Sequence, residues 1–233
     1  MGAAPTTLTR RPSLNAPENT PKPRWTTSKW PLVRWLVTLS PLESMRLEGL
    51  LAVIQVILEE GNEQRVFRVQ HPQVSPNQAV ERYIETLRQT DGGRPKLWGW
   101  DEAREGWHCA SRVALTPGAG PKWTHGPEGV IISSPPLVPG WPVEISIGLR
   151  SDVWFDRLPA LRMMDGHHRP PNPYSERAVD NAPLAQQHTP GLNAFLQGVA
   201  QSVRIFGGQW ALDDTQAGAW YRPMCHEHGI LLQ

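Results

Sequence analysis

The stretch that decides the fold is WLVTLSPLESMRLEGLLAVI, residues 35–54. It begins inside the apolar run 32–39, which predicts a buried strand that ends at Pro41. After a charged turn, residues 47–60 have the apolar spacing of a helix. Gly49 stands near the start of that helix, where glycine costs about 1 kcal/mol relative to alanine. We therefore predict that Gly49 lies where the helix and the sheet, or a partner, approach too closely for a side chain.

Further helices and strands are predicted along the chain. The segment SPNQAVERYIETLRQ predicts a helix with Ser75 as N-cap, Pro76 in the first turn and Gln78 completing a capping box. Leu192 to Val203 predicts a last helix. Apolar runs between Gly- and Pro-rich turns predict short strands at 65–69, 96–100, 107–115, 129–133, 143–149 and 206–212.

This order of elements predicts the α+β class, with an antiparallel sheet and helices on one face. A ferredoxin-like core, the split βαβ arrangement, fits the number of elements, and the C-terminal half is predicted to be β-rich with long loops. Residues 31–233 are predicted to form a single domain. Residues 165–191, DGHHRPPNPYSERAVDNAPLAQQHTPG, are predicted to be a loop insertion.

The composition excludes several classes of protein. Hydrophobic residues make up 39% and charged residues 19%, values typical of a globular chain. No apolar run reaches the length of a membrane span, and no secretory signal is visible, so we expect a cytoplasmic protein with no membrane partner. The two cysteines, Cys109 and Cys225, are too few for a disulfide framework.

The positive charge is mostly arginine, although the net charge is only +1. There are 19 Arg and 4 Lys, and the arginine guanidinium matches phosphate and stacks on bases. A GC-rich genome, which favours arginine codons, is the alternative explanation. Residues 1–30 are predicted to be a flexible basic arm, which can follow a phosphate backbone or be a solvated tail. The arm carries one acid, Glu18, against Arg10, Arg11, Lys22, Arg24 and Lys29.

Aromatic and basic residues are concentrated in WGWDEAREGWHCASR, residues 98–112. Flat rings stack on unpaired bases while arginine binds the phosphates between them. Alternatively, tryptophans pack a sheet against helices, and we expect at least two of the three in this segment to be core residues. The segment contains Trp98, Trp100, Trp107, His108 and Arg112.

Catalytic and metal-binding patterns are weak. The segment MCHEHG, residues 224–229, contains soft ligands but lacks the spacing of a zinc site, so neither a metal nor another cofactor is predicted. No Walker loop and no nucleophile elbow are present. His167 and His168, beside Arg169, have the chemistry of a general acid–base pair for RNA cleavage, and a polar turn is the alternative.

Three islands of sequence, in order, carry a resemblance to a known family. The first is Ser40-Pro41-Leu42 with the Leu-Glu-Gly-Leu-Leu-Ala pattern at 47–52, and the second is GWHCASRVAL, with Trp107 and Ser111. The third contains Arg204, Gly207, Gly208, Trp210, Arg222 and Pro223. Together they resemble the RAMP proteins of CRISPR systems, above all the 5′-handle-binding subunit of type IV effector complexes, in the Cas-five group.

The resemblance implies an RRM-like, RAMP-type core and a non-catalytic subunit that binds the 5′ handle of the guide RNA (crRNA). It implies that the subunit caps a filament of backbone RAMP subunits, beside a large subunit, and meets target DNA only indirectly. Two alternatives stay open: a metal-independent guide-RNA-processing endonuclease of the same superfamily that uses His167 or His168, and a protein-binding module such as a toxin-immunity protein. The residues expected to bind RNA are Trp107, Arg112, Arg150, His168, Arg169, Arg204, Gly207, Gly208 and Arg222.

Overall fold

The computed structural model describes residues 31–40, 46–89, 106–114, 118–124, 129–133, 141–158, 179–213 and 221–232. Three α-helices lie in these ranges: α1 (Arg46–Glu63), α2 (Ala79–Gln89) and α3 (Ala182–Ile205). The strands in the same ranges are β1 (Val33–Leu39), β2 (Phe67–Gln70), β3 (His108–Val113), β4 (Lys122–Thr124), β5 (Val130–Ser133), β6 (Val143–Leu149), β7 (Arg157–Leu158), β8 (Val179–Asp180), β9 (Gln209–Leu212), β10 (Cys225–His226) and β11 (Gly229–Ile230).

Helices and antiparallel sheets are mixed, which confirms the predicted α+β class. The main sheet has the strand order β5-β6-β1-β9, and a second sheet has the order β2-β3-β4. The two-stranded sheet β7-β8 and the hairpin β10-β11 complete the described strands. Within the described ranges, no helix is both long enough and apolar enough to cross a membrane. The predicted basic arm, 1–30, lies outside these ranges.

The main sheet forms because side chains alternate along β1. Val33, Trp35 and Val37 are fully buried, whereas the residues between them are half-buried. Opposite these three residues, β6 places Leu149, Ile147 and Ile145, which are also fully buried. One face of the sheet therefore belongs to the hydrophobic core, as the period of two in the sequence predicts.

The second sheet joins the same core through one of its two faces. Phe67 and Val69 of β2 are buried, and the Phe67 ring meets Phe195 of α3 edge to face, with ring centres 5.2 Å apart. Buried residues of both sheets and of all three α-helices form one hydrophobic cluster. The opposite face of the second sheet is therefore left for polar side chains.

The prediction that the helix and the sheet approach closely at Gly49 is wrong, and its alternative, a close approach by a partner, stays a prediction. A methyl group added at Gly49 would meet no atom of another part of the chain within 4 Å. The close approach is at the other end of α1, where the ring of Phe67 occupies the space that a side chain at Gly61 would need. Gly61 therefore permits the packing of α1 on β2, and Gly49 has no packing reason in this structure.

The predicted loop 165–191 is also wrong in its second half, because α3 begins at Ala182 instead of Leu192. Pro183 lies in the first turn, where proline is tolerated, and Pro190 lies inside the helix. Pro190 removes one backbone hydrogen bond, but Leu184, His188 and Leu192 continue a buried stripe through this turn. Burial of the stripe therefore outweighs the local preference of proline.

The start of α2 differs from the predicted capping box. The Ser75 hydroxyl lies 3.2 Å from the Gln78 side-chain oxygen and makes no cap bond to the backbone. A 3-10 turn, Pro76–Gln78, leads into α2 instead. Pro76 and the apolar face that includes Tyr83 are thus the features of this helix that the sequence predicts correctly.

Candidate nucleic-acid interface

The outer face of the second sheet concentrates basic and aromatic side chains. Residues paired across neighbouring strands point to the same side of a sheet, and Arg68 is paired with Ala110, and Arg112 with Trp123. Since Phe67 and Val69 point into the core, these four side chains lie on the other side. We define the basic sheet face as Arg68, Gln70, His108, Ala110, Arg112 and Trp123.

Arg68 and Trp123 form a stacked pair on the basic sheet face. The guanidinium carbon of Arg68 lies 4.1 Å from the centre of the Trp123 ring, within range of a cation–π interaction. Ala110, between them on β3, is fully buried. Burial lowers the pKa of Arg68, but an arginine stays charged at neutral pH. The pair therefore presents a flat, positively charged surface.

Arg112 adds a second cation to this face. Its backbone N–H donates to the Val66 carbonyl at 2.9 Å, which ties β3 to the end of the α1–β2 connection. The guanidinium has neither a hydrogen bond nor an ion pair with any residue that the structure describes. Strands β2, β3 and β4 contain no Asp or Glu. The positive charge of this face is therefore not neutralised by its own strands.

A groove between α1 and α2 is concave but unsuited to nucleic acid. Its volume is about 1090 Å³. Two arginines, Arg82 and Arg88, line it, but both are engaged with carboxylates, at 3.0 Å each. Repulsion of phosphate by the remaining acids makes the basic sheet face the better candidate. The acids that line the groove are Glu59, Glu63, Glu81 and Glu85.

Trp107, which was expected to stack on RNA, is a core residue. Its side chain is only 5% exposed. The Trp107 ring lies between His71 and Tyr83, with ring centres 4.9 and 5.4 Å away. Ser111, from the same sequence island, is 1% exposed and lies on the core side of β3. The second island is therefore explained by packing, except for Arg112.

The two glycines of the third island end a helix. Gly208 N–H donates to the Val203 carbonyl at 2.9 Å, and Gly207 N–H donates to the Arg204 carbonyl at 3.0 Å. With Gly207 at a φ of +73°, this is a Schellman motif, in which glycine is favoured because it tolerates the left-handed conformation. The pair therefore has a structural role that requires no phosphate.

Three of the other predicted arginines, Arg150, Arg204 and Arg222, lie outside the three strands of the basic sheet face. Arg204 pairs with Glu227 at 2.8 Å, and both side chains are about half exposed. Arg222 donates to the Cys225 carbonyl at 3.3 Å, and Arg150 is half-buried directly after β6. His167, His168 and Arg169 lie outside the described residues. Of the predicted RNA-binding residues that the structure describes, only Arg112 belongs to the basic sheet face.

The segment MCHEHG forms the hairpin β10-β11, which the core holds in place. Trp35 Nε1 donates to the His226 carbonyl at 3.1 Å, and Trp210 Nε1 donates to the Glu227 carbonyl at 2.7 Å. Asn193 of α3 exchanges two hydrogen bonds with the backbone of Ile230, both at 2.9 Å. No group of three or more possible metal ligands lies together among the residues described.

Arg68 and Trp123 were missed by sequence reasoning. Each lies in an unremarkable short segment, RVFRV or PKWT. Alternation puts Arg68 on the side opposite Phe67 and Val69, but which of the two sides meets the core depends on the pairing of β2. The pairing of β2 with β3 and β4 joins segments far apart in sequence, so local pattern cannot reveal this stack.

No protein-family model matches the chain, and no curated protein and no solved structure matches it. Function is therefore argued from the basic sheet face and from the three sequence islands.

Proposed function

We propose that the chain is a non-catalytic RNA-binding subunit of a type IV CRISPR ribonucleoprotein, which binds the 5′ handle of the guide RNA through the basic sheet face. The observation that carries the RNA-binding part is the Arg68–Trp123 stack, on a face where Arg112 is paired with Trp123 across β3 and β4. Aromatic and guanidinium planes offer stacking platforms to bases, and arginine neutralises the phosphates. Because bases must be unstacked to use such a platform, the ligand is single-stranded.

The strand order supports the proposed ferredoxin-like core. In the main sheet, β1 lies between β6 and β9 and β5 lies outside β6, which is the order of a split βαβ fold. Helix α3 connects β6 to β9, and α1 follows β1. In this proposal, β2, α2, β3 and β4 are an insertion before β5. The basic sheet face then belongs to the insertion.

The identity of the complex rests on the order of the three sequence islands. The structure gives the glycines of the third island a capping role and gives Gly49 of the first island no packing role. The geometry of these islands therefore does not identify the complex. The partners, the backbone RAMP subunits, the large subunit and indirectly the target DNA, are carried over from the resemblance.

Exposed apolar side chains support assembly with neighbouring subunits. Ile205 and Phe206, at the end of α3, are 83% and 52% exposed, and Trp141 is 69% exposed. Large apolar side chains this accessible are typical of surfaces that a partner covers. They are also the observation that favours the alternative of a protein-binding module.

Filter binding of the purified chain tests the proposal, with single-stranded handle RNA, a scrambled RNA of equal length and the handle in duplex form. We expect tighter binding to the single strands than to the duplex, and tighter binding to the handle than to the scrambled RNA. Equal binding to handle and scrambled RNA that salt abolishes contradicts handle recognition. If the chain binds no RNA in this test, and no RNA copurifies with it after expression with candidate partners, the protein-binding module is favoured.

A further inference from the structure

A small cavity adjoins Arg112 on the side of the molecule where α3 begins. It measures about 70 Å³, enough for several waters or one phosphate-sized group. It lies where β3, the end of the α1–β2 connection and α3 meet. None of the described residues that line it is acidic, and the polar ones among them are Gln64, Arg65, Arg112, Trp154, Gln187 and His188.

Trp154, one of the residues that line this cavity, carries a buried hydrogen-bond donor. The residue is 1% exposed, and its indole Nε1 has no hydrogen-bond partner among the residues that the structure describes. Its backbone is held because Thr189 Oγ1 donates to the Trp154 carbonyl. A buried N–H without an acceptor is costly, so a donor in this position indicates a missing acceptor.

The imidazole of His188 packs against this indole, with ring centres 5.7 Å apart. Its Nε2 lies 2.9 Å from the Ala114 amide nitrogen, which fixes the ring beside Arg112. Burial lowers the pKa of His188, and the charge of Arg112 lowers it further, so the ring is neutral at pH 7. The arginines, not the histidine, therefore provide the positive charge of the cavity.

Arg65 is placed at this cavity by an unusual backbone conformation. Its φ is +55°, and no other non-glycine residue of the described ranges has a positive φ. The side chain has no ion pair with a described residue. A strained residue with an uncommitted charge in a cavity wall points to a functional constraint.

We propose that this cavity binds one phosphate group of the RNA chain, between the guanidinium groups of Arg65 and Arg112, with the Trp154 indole N–H donating to a phosphate oxygen. The inference rests on the proposed function only in assigning the phosphate to RNA. The cavity then holds the RNA at one point beside the basic sheet face. The phosphate is either the one at the 5′ end of the RNA or one within the chain. Only binding of the terminal phosphate requires an RNA that is phosphorylated at its 5′ end.

Titration of the full chain with inorganic phosphate, followed at the indole N–H resonance of Trp154, tests the site. We expect a saturable downfield shift that chloride at equal ionic strength does not produce. Arg65→Gln weakens the phosphate affinity about tenfold, as expected for loss of a charge-assisted hydrogen bond. Arg82→Gln, which removes an exposed charge from α2, leaves the affinity unchanged. No saturable shift, or equal effects of the two variants, overturns the inference.

RNA carrying a 5′-phosphate and RNA carrying a 5′-hydroxyl identify the source. A shift with the 5′-phosphorylated RNA alone assigns the site to the terminal phosphate, and a shift with both assigns it to an internal one. RNA binding without a response at Trp154 overturns the cavity inference and leaves the proposed function standing. A response to inorganic phosphate without any RNA binding contradicts the proposed function and the assignment to RNA.

Discussion

Arg65 and Gly207 occupy the same position in two helix-ending motifs of the same geometry. At the end of α1, Val66 N–H donates to the Gly61 carbonyl and Arg65 N–H to the Asn62 carbonyl, at 2.9 and 3.1 Å. Gly207 completes the equivalent bonds at the end of α3, with φ +73° against +55° for Arg65. The left-handed position that glycine fills without strain at one helix is filled by arginine at the other.

Arg65→Gly is therefore expected to lower phosphate affinity without lowering the free energy of unfolding. Glycine relieves the left-handed strain, about 1 kcal/mol, so the free energy of unfolding rises or stays equal. The same change removes a cation from the cavity, so phosphate affinity falls. Denaturant unfolding and phosphate titration measure the two effects. A variant that is destabilised by more than about 1 kcal/mol would show that the Arg65 side chain has a structural role.

Arg112→Gln is expected to change the salt dependence of RNA binding. Each phosphate contact to single-stranded nucleic acid contributes about 0.7 to the slope of log affinity against log salt. Loss of Arg112 lowers the slope by about that amount for handle and scrambled RNA alike. Arg88→Gln, an exposed arginine on α2 that pairs with Glu48, is the control. An unchanged slope in Arg112→Gln means that this side chain contacts no phosphate.

Trp107 is expected to affect stability and not RNA affinity. Because its ring is buried between His71 and Tyr83, Trp107→Ala lowers the free energy of unfolding by about 3–5 kcal/mol. Trp107→Phe keeps a ring in the core and allows RNA affinity to be measured on folded protein. Weaker RNA binding by Trp107→Phe at unchanged stability would return this residue to the interface.

His188 predicts a loss of stability in mild acid. Its pKa in the folded chain is below the usual 6.5, chiefly because of burial, so the unfolded chain binds a proton first as the pH falls. The free energy of unfolding therefore decreases below about pH 6.5 and is unaffected by this group above it. His188→Gln, which keeps a hydrogen-bonding group for Ala114, lacks that part of the decrease. The free energy of unfolding is measured with urea at several pH values for both proteins. An equal decrease with falling pH in the unmodified chain and in His188→Gln contradicts the prediction.

Local pattern predicts the elements of this fold better than their pairing. The period of two in residues 32–39 gives β1, and the apolar spacing of residues 47–60 gives most of α1, because both signals lie within one element. The start of α3 is missed because Pro183, Pro190 and Gly191 are typical of loops. His188 and Thr189 in the same turns are buried, because they contact Ala114 and Trp154. Tertiary packing decides that segment.

The candidate site is even less visible in the sequence. Arg112 is predicted because it stands in a dense aromatic and basic segment. Trp107 stands in the same segment but is buried. The prediction for it fails because sequence alone does not tell which side of β3 meets the core. Arg65, Arg68 and Trp123 carry no signal of their own. Arg68 and Trp123 become a site only through the register of β2, β3 and β4.

The most direct test of RNA binding on the basic sheet face compares Trp123→Ala with Trp141→Ala in fluorescence anisotropy with single-stranded RNA. Trp141 is 69% exposed and lies outside that face, so it controls for loss of an accessible ring. Loss of one base-stacking platform costs about 1–3 kcal/mol, so Trp123→Ala is expected to weaken binding by about 5- to 150-fold, with Trp141→Ala unchanged. Equal affinities of the two variants, with both folded by circular dichroism, would contradict the account.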